Sequence, residues 1–321
     1  MQINMQGPAG RYNPPYGGIA TFLRQDYCDD IATLDADYAI LGTPIDEGSP
    51  FMGGSRFAPR SIREHSLRFG SAGYYDSLTG KSYLVEETAN RRIVDVGDSD
   101  ILTTNVERTF DNITADVAGI LERGAMPVII GGDHSVTYPV VRAFGEPMHV
   151  MHFDAHLDYQ PFVHDLRFTN GHAFRHIKPM SHVLSLTQIG IRSLRSALQE
   201  FIDARAEGSH IVTMDDIRRL GPEGFVHETF PRGEKMYVSI DVDVLDMSLV
   251  PGCVSAEPNG MLYAELRDIL RATARHMDVI GFDFVEVNPQ LDVGTGVTSY
   301  LGAHTMLEFL GAIAEAKAAR R

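Results

Sequence analysis

Short runs of apolar residues alternate along this chain with longer amphipathic stretches. The apolar runs are rich in Val and Ile and predict strands over 37–43, 92–96, 127–131, 148–154, 186–191, 210–213, 236–241 and 278–284. The amphipathic stretches predict helices over 105–123, 136–143, 194–205, 261–276 and 299–318. Nearly continuous apolar strands separated by helices are typical of a parallel sheet buried on both faces. We therefore expect an α/β fold, a parallel β-sheet flanked by helices on both faces.

The chain has no internal repeat and no change of composition that would mark a linker. We expect a single domain over residues 1–321. Residues 1–17 are rich in Gly, Pro and Asn and contain no apolar run, which predicts an extended N-terminal arm.

Ligand-capable side chains follow three of the predicted strands. Asp154, His156 and Asp158 are spaced two residues apart, and a strand end with this spacing directs all three side chains to one side. Asp241 and Asp243 repeat the spacing after another strand, and a single histidine, His134, follows the strand over 127–131. Because ligand sites in parallel sheets lie at the carboxyl ends of the strands, we expect these side chains to meet there.

The resulting set of donors contains carboxylates and two imidazoles but no thiolate. Such a set suits manganese, and less often nickel, iron or zinc. Two ions that share bridging carboxylates can turn water into hydroxide near neutral pH. The spacing therefore indicates a site for two divalent metal ions at the carboxyl edge of the sheet.

The formal net charge of −15 argues against nucleic acid as a partner, because phosphates require Lys and Arg. The two cysteines, Cys28 and Cys253, are too few for a disulfide framework, as expected in a reducing compartment. The N-terminus lacks the apolar core of a signal peptide, and no stretch of about 18 apolar residues predicts a membrane span. We expect a cytoplasmic protein that acts on a small molecule.

An ordered series of segments resembles the arginase/agmatinase family, the ureohydrolases. The segments are GIATFLR (18–24), GTPID (42–46) with GSRFAPRSIR (54–63), GGDHS (131–135), DAHLD (154–158), SIDVDVLD (239–246) and VEVNP (285–289). The series extends over nearly the whole chain, and its order makes the resemblance more specific than any one segment. It implies a single-domain arginase-type fold.

The resemblance also implies a ligand set and a reaction. In this family two divalent ions, usually Mn²⁺ and in some members Ni²⁺, are bound by residues that correspond to His134, Asp154, His156, Asp158, Asp241 and Asp243. Glu286 corresponds to a carboxylate that binds the substrate guanidinium, and Asp158 to a ligand that carries a proton in catalysis. The implied reaction cleaves a guanidino C–N bond to give urea and an amine or ammonia. The implied assembly is a homotrimer or homohexamer.

The chain departs from the family pattern after DAHLD, where members usually carry a histidine that acts as a proton shuttle. Asn170 stands in its place, and asparagine cannot carry a proton near neutral pH. We expect His172, two residues later, to take over this catalytic role, with Asn170 and His172 both contacting the substrate. The alternative is that no shuttle is needed.

A second departure follows Pro251 and Gly252, where CVSAEP replaces the usual Thr-Gly-Thr-Pro and is closer to the formimidoylglutamase branch. We expect Ser255 and Glu257 to contact the substrate, although Glu257 could instead face solvent. The loop that grips an α-amino acid in arginases is not recognisable in 159–165, so arginine is disfavoured.

The remaining substrate candidates are free or substituted guanidine, a guanidino acid and agmatine. We expect a small pocket walled by Phe162, Phe168 and Phe174. Two other functions remain open at this point. One is a formimidoylglutamase-like amidine hydrolase that releases formamide, and the other is an inactive partner subunit of a ureohydrolase hetero-oligomer.

Overall fold

The computed structural model describes residues 14–320 and contains eleven strands in that range. In chain order they are β1 (Asp26–Tyr27), β2 (Tyr38–Thr43), β3 (Tyr74–Asp76), β4 (Lys81–Tyr83), β5 (Ile93–Asp98), β6 (Met126–Gly131), β7 (Met148–Phe153), β8 (Val183–Ile189), β9 (His210–Val212), β10 (Lys235–Asp241) and β11 (Asp278–Val285). Nine of them form one sheet in the order β1-β5-β2-β6-β11-β10-β7-β8-β9, and all its pairings are parallel. β3 and β4 form a separate antiparallel pair.

Helices cover both faces of this sheet. The helices are α1 (Ala58–Ser66), α2 (Val85–Ala89), α3 (Val106–Glu122), α4 (Thr137–Arg142), α5 (Ala173–Ile177), α6 (Leu198–Ala206), α7 (Met214–Leu220), α8 (Pro222–Thr229), α9 (Tyr263–His276) and α10 (Val297–Arg320). One apolar core lies between the sheet and α1, α7, α8, α9 and α10. A second core lies between the opposite face and α3, α4, α5 and α6.

The central strands supply both cores because successive side chains point to opposite faces. In β6, Val128 and Ile130 belong to the first core and Ile129 to the second, and all three side chains are fully buried. This double burial explains why the strands read as continuous apolar runs in the sequence. The expected α/β architecture with a two-sided parallel sheet is confirmed.

The eight predicted strands and five predicted helices all have counterparts, with shifted ends. Sequence patterns missed the two-residue edge strand β1, the β3–β4 pair and several short helices, because these segments are too short to show a period. The helix expected from residue 194 begins at Leu198, so 194–197 belong to the preceding loop. The proposed arm over 1–17 lies mostly outside the described residues.

Four central strands, β6, β11, β10 and β7, end side by side at one edge of the sheet. The loops that follow them carry His134, Glu286, Asp243 and Asp154. Within residues 14–320, no helix combines the length and apolar character needed to cross a membrane.

Candidate active site

One imidazole nitrogen at the carboxyl edge of the sheet faces three carboxylates. Nδ1 of His134 lies 3.1 Å from Oδ2 of Asp154, 3.2 Å from Oδ2 of Asp158 and 3.1 Å from Oδ2 of Asp241. His134 and Asp154 are fully buried, and the carboxyl groups of Asp158 and Asp241 are nearly so. Four residues from three strand ends thus converge on one point.

A second imidazole forms a similar group beside the first. Nδ1 of His156 lies 3.2 Å from Oδ1 of Asp154 and 3.1 Å from Oδ2 of Asp243. Asp154 therefore presents one oxygen to each imidazole. The backbone fixes Asp243 between the two groups, since its Oδ1 accepts from the amide of Ala155 and its own amide donates to Asp241. This sharing of one carboxylate is the geometry that two neighbouring cations require.

Ser239 and Asp283 determine which nitrogen of His134 carries the proton. The Ser239 hydroxyl donates to Oδ1 of Asp283 at 2.7 Å, so its oxygen is an acceptor for Nε2–H of His134, 2.8 Å away. Tyr237 and Thr137 donate to the other oxygen of Asp283. With the proton on Nε2, Nδ1 directs a lone pair at the carboxylates, which is the tautomer of a metal ligand.

The shared burial of these carboxylates shifts their pKa values. Burial and the charge of Asp154 raise the pKa of Asp158 to about 7. Burial, together with Asp243 and Asp154, raises the pKa of Asp241 well above its usual range. Burial alone would lower the pKa of His156, but Asp243 and Asp154 raise it to about 12. The site therefore takes up protons unless other cations balance its charge.

Polar atoms that are buried here without a hydrogen bond are consistent with a cation site. Oδ2 of Asp243 is buried and, apart from its 3.1 Å approach to Nδ1 of His156, forms no hydrogen bond among the described residues. A lone pair on Nδ1 of His134 against three carboxylates is repulsive unless a cation lies between them. The donors are oxygen and imidazole nitrogen, the set that Mn²⁺ and Ni²⁺ accept. The six residues therefore fit two divalent ions.

Cys253 is an additional neighbour that the sequence pattern did not reveal. Its sulfur lies within 4.8 Å of carboxylate oxygens of Asp241 and Asp243. Burial raises the pKa of this thiol well above its usual range. Since only the thiolate is a good ligand, the protonated thiol leaves the donor set one of oxygen and nitrogen.

Glu286 lies directly beside this centre, at the end of β11. One oxygen accepts from the backbone amide of His134 at 3.0 Å and from Nδ2 of Asn170 at 3.1 Å. Burial and the charge of Asp133 raise the pKa of Glu286 to about 8. Glu286 and Asp158 both have a left-handed backbone, with φ of 65° and 46°. Such strained residues concentrate at functional sites, where the surrounding structure holds them in place.

A cavity of about 200 Å³ opens onto these groups. The residues that line it include seven of the predicted site residues, namely His156, Asp158, Asn170, Asp241, Asp243, Ser255 and Glu286, together with Gln160, Glu200, Arg195, Val254 and the loop 49–52. The base of this loop is fixed because Asp46 accepts from Arg56 and from the amide of Gly54. The GTPID segment (42–46) and the GSRFAPRSIR segment (54–63) thus meet at the base of the loop 49–52 that lines the cavity mouth.

His172 does not line the cavity, contrary to our expectation. Its side chain is buried, with Nδ1 beside the hydroxyl of Thr169 at 2.7 Å and Nε2 beside the carbonyl of Pro161 at 3.4 Å. Burial lowers its pKa. Both ring nitrogens brace the loop, so His172 has the geometry of a structural residue, and this segment contributes Asn170 and Gly171 to the cavity lining instead.

The aromatic wall that we expected is also absent from the cavity lining. Phe174 is fully buried and stacks on His152, with ring centroids 3.6 Å apart. Nε2 of His152 in turn lies 2.8 Å from Oδ2 of Asp154. Phe162 and Phe168 pack around His176. Phe174 thus supports the candidate metal ligands from behind, Phe162 and Phe168 brace His176, and none of the three lines the cavity.

Glu257 lies outside the cavity lining and faces neither the substrate space nor open solvent. Its Oε1 accepts from the hydroxyl of Ser193 at 2.7 Å and from Nε of Arg195 at 2.9 Å. Arg195 is a cavity residue that the sequence analysis missed, because 194–205 was assigned to a helix. The sequence could have indicated that Arg195 belongs to the site, because Arg195 follows the end of β8 by six residues and therefore lies at the carboxyl edge of the sheet.

Comparisons with known proteins agree with this site. A family model described as "Arginase family" matches residues 36–311. Guanidinobutyrase of Pseudomonas aeruginosa is 31% identical over 97% of this chain and 97% of its own length. The solved structure of proclavaminate amidino hydrolase from Streptomyces clavuligerus is 31% identical and has a TM-score of 0.83 over 95% of this chain and 100% of that one. Formimidoylglutamase of Bacillus subtilis is similar too, at 28% identity and a TM-score of 0.80 over 92% of both chains. The chain therefore belongs to the arginase family.

Proposed function

We propose that this protein cleaves a C–N bond of a small guanidino compound with the help of two divalent metal ions, giving urea and an amine or ammonia. Membership of the arginase family makes it a hydrolase of guanidino or amidino compounds. The observation that carries the finer proposal is the sharing of Asp154. Its two oxygens face His134 and His156, and Glu286 lies within hydrogen-bond distance of the His134 amide.

Each ion would be held by one imidazole and neighbouring carboxylates. His134, Asp158 and Asp241 would hold one ion, His156 and Asp243 the other, and Asp154 would contact both. When bound, the ions would supply a water nucleophile that is activated near neutral pH. Mn²⁺ is our preferred ion and Ni²⁺ the alternative, because both accept oxygen and imidazole donors.

Glu286 would bind the substrate cation. A carboxylate can accept two parallel hydrogen bonds from a planar guanidinium, which orients the plane of the substrate. The amide of His134 and the side chain of Asn170 hold one carboxylate oxygen in place, so the orientation is set before the substrate arrives. This contact would hold the guanidinium at the carboxyl edge of the sheet, next to the residues that would bind the two ions.

Asp158 would carry the proton that the leaving nitrogen needs. It lines the cavity, and its carboxyl group lies in the first imidazole group. A carboxylate that lies beside the nucleophile is suited to accept its proton and return it to the leaving amine. Since Asn170 cannot titrate and His172 lies outside the cavity lining, Asp158 is the proposed carrier in place of a loop histidine.

The substrate candidates are free or substituted guanidine, a guanidino acid and agmatine, with arginine disfavoured. A cavity of about 200 Å³ suits such small molecules. The similarity to a guanidinobutyrase supports a guanidino acid. We further propose a cytoplasmic homotrimer or homohexamer.

A formimidoylglutamase-like reaction that releases formamide is the second candidate. Val254 and Ser255, from the segment that resembles that branch, line the cavity, and the relative from Bacillus subtilis carries that name. An inactive partner subunit has less support, because all six ligand residues are present and grouped.

The deciding experiment measures urea and formamide separately. Protein reconstituted with Mn²⁺ or with Ni²⁺ would be assayed on free guanidine, methylguanidine, agmatine, guanidino acids of increasing length, arginine and formimidoylglutamate. Urea from a small guanidine with two ions bound per chain is the expected result. Formamide alone would establish the second candidate, and no product from any compound with both ions bound would overturn the proposal.

A further inference from the structure

We propose that Arg195 forms a carboxylate-binding subsite at the mouth of the cavity, and that the preferred substrate is a guanidino acid. The inference rests on the proposed hydrolysis of a guanidino compound and names its substrate class. Arg195 lines the same cavity as Glu286 and Asp158, but it extends from the loop after β8 rather than from the central strands.

Neighbouring groups hold the guanidinium of Arg195 in place. Nε donates to Oε1 of Glu257 at 2.9 Å, and Nη2 donates to the carbonyl of Ser255 at 2.8 Å. Glu257 is itself fixed by the hydroxyl of Ser193. Nη1 has no hydrogen-bond partner among residues 14–320, and over half of the side-chain surface is exposed. Glu257 is thus a positioning residue, and Arg195 retains donors for a ligand.

The contact between Arg195 and His156 leaves a further donor available. Nη2 lies 2.8 Å from Nε2 of His156. Because Nδ1 of His156 faces Asp154 and Asp243, Nε2 carries the ring proton when Nδ1 acts as a ligand. The contact then joins two donors and cannot be a hydrogen bond. An acceptor from outside the chain would satisfy the guanidinium.

The other charges in the cavity already have partners. Asp158, Asp241 and Asp243 belong to the two imidazole groups, and Glu286 is reserved for the substrate cation. Glu200, which also lines the cavity, accepts from the backbone amide of Ala197. Arg195 is itself paired with Glu257 through Nε, so the cationic donor left to meet the far end of a substrate is its Nη1 group, which has no hydrogen-bond partner among residues 14–320.

A carboxylate is the group that best matches this subsite. The planar fork of Arg195 can donate two parallel hydrogen bonds to a carboxylate, which strengthens and orients the contact. The ammonium of agmatine would meet a like charge at the same position. An uncharged alkyl end would be neither attracted nor repelled by the charge of Arg195.

The test compares three guanidines of similar length that differ only at the far end. They are 4-guanidinobutyrate, butylguanidine and agmatine, assayed for urea release by the wild type and by Arg195→Met, which removes the charge and keeps much of the side-chain volume. Arg195→Lys retains the charge without the fork. Arg205→Met, on the exposed face of α6, is the matched control.

In the wild type we expect kcat/KM for the acid to exceed that for butylguanidine by about tenfold or more. Arg195→Met should abolish this preference, mostly through KM for the acid, while kcat/KM for butylguanidine falls by no more than about threefold and kcat/KM for agmatine rises because the like charge is gone. Arg195→Lys should fall in between because Lys lacks the bidentate geometry. Arg205→Met should behave as the wild type.

Each outcome separates this inference from the proposed function. If Arg195→Met lowers kcat/KM for all three compounds by the same factor, Arg195 only supports His156 and Ser255, and the subsite is wrong. If wild-type protein with two ions bound releases urea neither from these three compounds nor from free guanidine or methylguanidine, the proposed function itself fails, whereas urea from the two small guanidines alone would overturn only the inference. A wild type that prefers agmatine over the acid would overturn the inference while leaving the reaction intact.

Discussion

The hydroxyl of Ser239 lies 2.8 Å from Nε2 of His134 and donates a hydrogen bond to Oδ1 of Asp283. This contact leaves Nδ1 of His134 as a lone pair facing three carboxylates, and it explains how a buried strand residue can control a metal site. Loss of a group that lies behind a ligand and fixes its tautomer typically lowers metal affinity by about 10- to 100-fold.

We expect Ser239→Ala to weaken metal binding by about 10- to 100-fold, because the imidazole loses the acceptor that holds its proton on Nε2. Chelator competition, with metal content measured per chain, would test this. Ser185→Ala is the matched control, since Ser185 lies 2.7 Å from a ring nitrogen of His149, outside both imidazole groups. Unchanged metal affinity in Ser239→Ala would show that this contact does not set the tautomer.

Replacing Asp158 with Asn should lower kcat by about 10²- to 10⁴-fold and loosen one of the two ions, because the amide cannot carry a proton. Asn tolerates the left-handed backbone of this position, so the fold should persist. Asp165→Asn, in the same loop and also left-handed, should retain wild-type turnover. Near-normal turnover of Asp158→Asn with both ions bound would remove Asp158 from the mechanism.

The contact between Asn170 and Glu286 predicts a graded effect on substrate affinity. Asn170→Ala removes a donor from a charged acceptor and should raise KM by about tenfold, with a smaller change in kcat. Asn170→Asp should have a larger effect, because a second carboxylate then faces Glu286. The control is Asn112→Ala on α3, whose side chain donates to the carbonyl of Asp100. Equal KM values for Asn170→Ala, Asn170→Asp and wild type would contradict the assignment.

The loop at the cavity mouth should show a pH-dependent stability. Burial alone would raise the pKa of Asp46, but hydrogen bonds from Arg56 and from the Gly54 amide lower it below 3.8. A depressed pKa stabilises the fold above pH 3.8, and this stabilisation is lost as the pH falls through the folded-state value. Asp46→Asn should therefore lower the free energy of unfolding by about 1.5–3 kcal/mol at pH 7 and by less near pH 3.

Denaturant unfolding at the two pH values measures this difference. Asp35→Asn, which breaks an exposed contact with Arg92, should change the free energy of unfolding by less than about 0.5 kcal/mol at either pH. A difference between wild type and Asp46→Asn that does not depend on pH would show that the charge of Asp46 is not what holds the loop.

The sequence analysis succeeded where a local pattern has a direct physical meaning. The strand–helix alternation and the two-residue spacing of Asp154, His156 and Asp158 depend on backbone geometry that any strand shares. The analysis failed at His172, which was chosen for its chemistry. The imidazole of His172 points toward Thr169 and Pro161 because of how the loop packs, and no local sequence pattern predicts the orientation of this side chain.

By itself, the sequence determined the class of fold and the family resemblance, and it predicted six candidate metal ligands, because these depend on residue type and on spacing along strands. The tertiary structure decided which side chains act together. It joined Ser239 to His134, placed Asn170 against Glu286 and brought Arg195 to the cavity from a loop that looked helical. The first two pairings join residues 105 and 116 positions apart, the third depends on where a helix begins, and only packing of the whole chain fixes them.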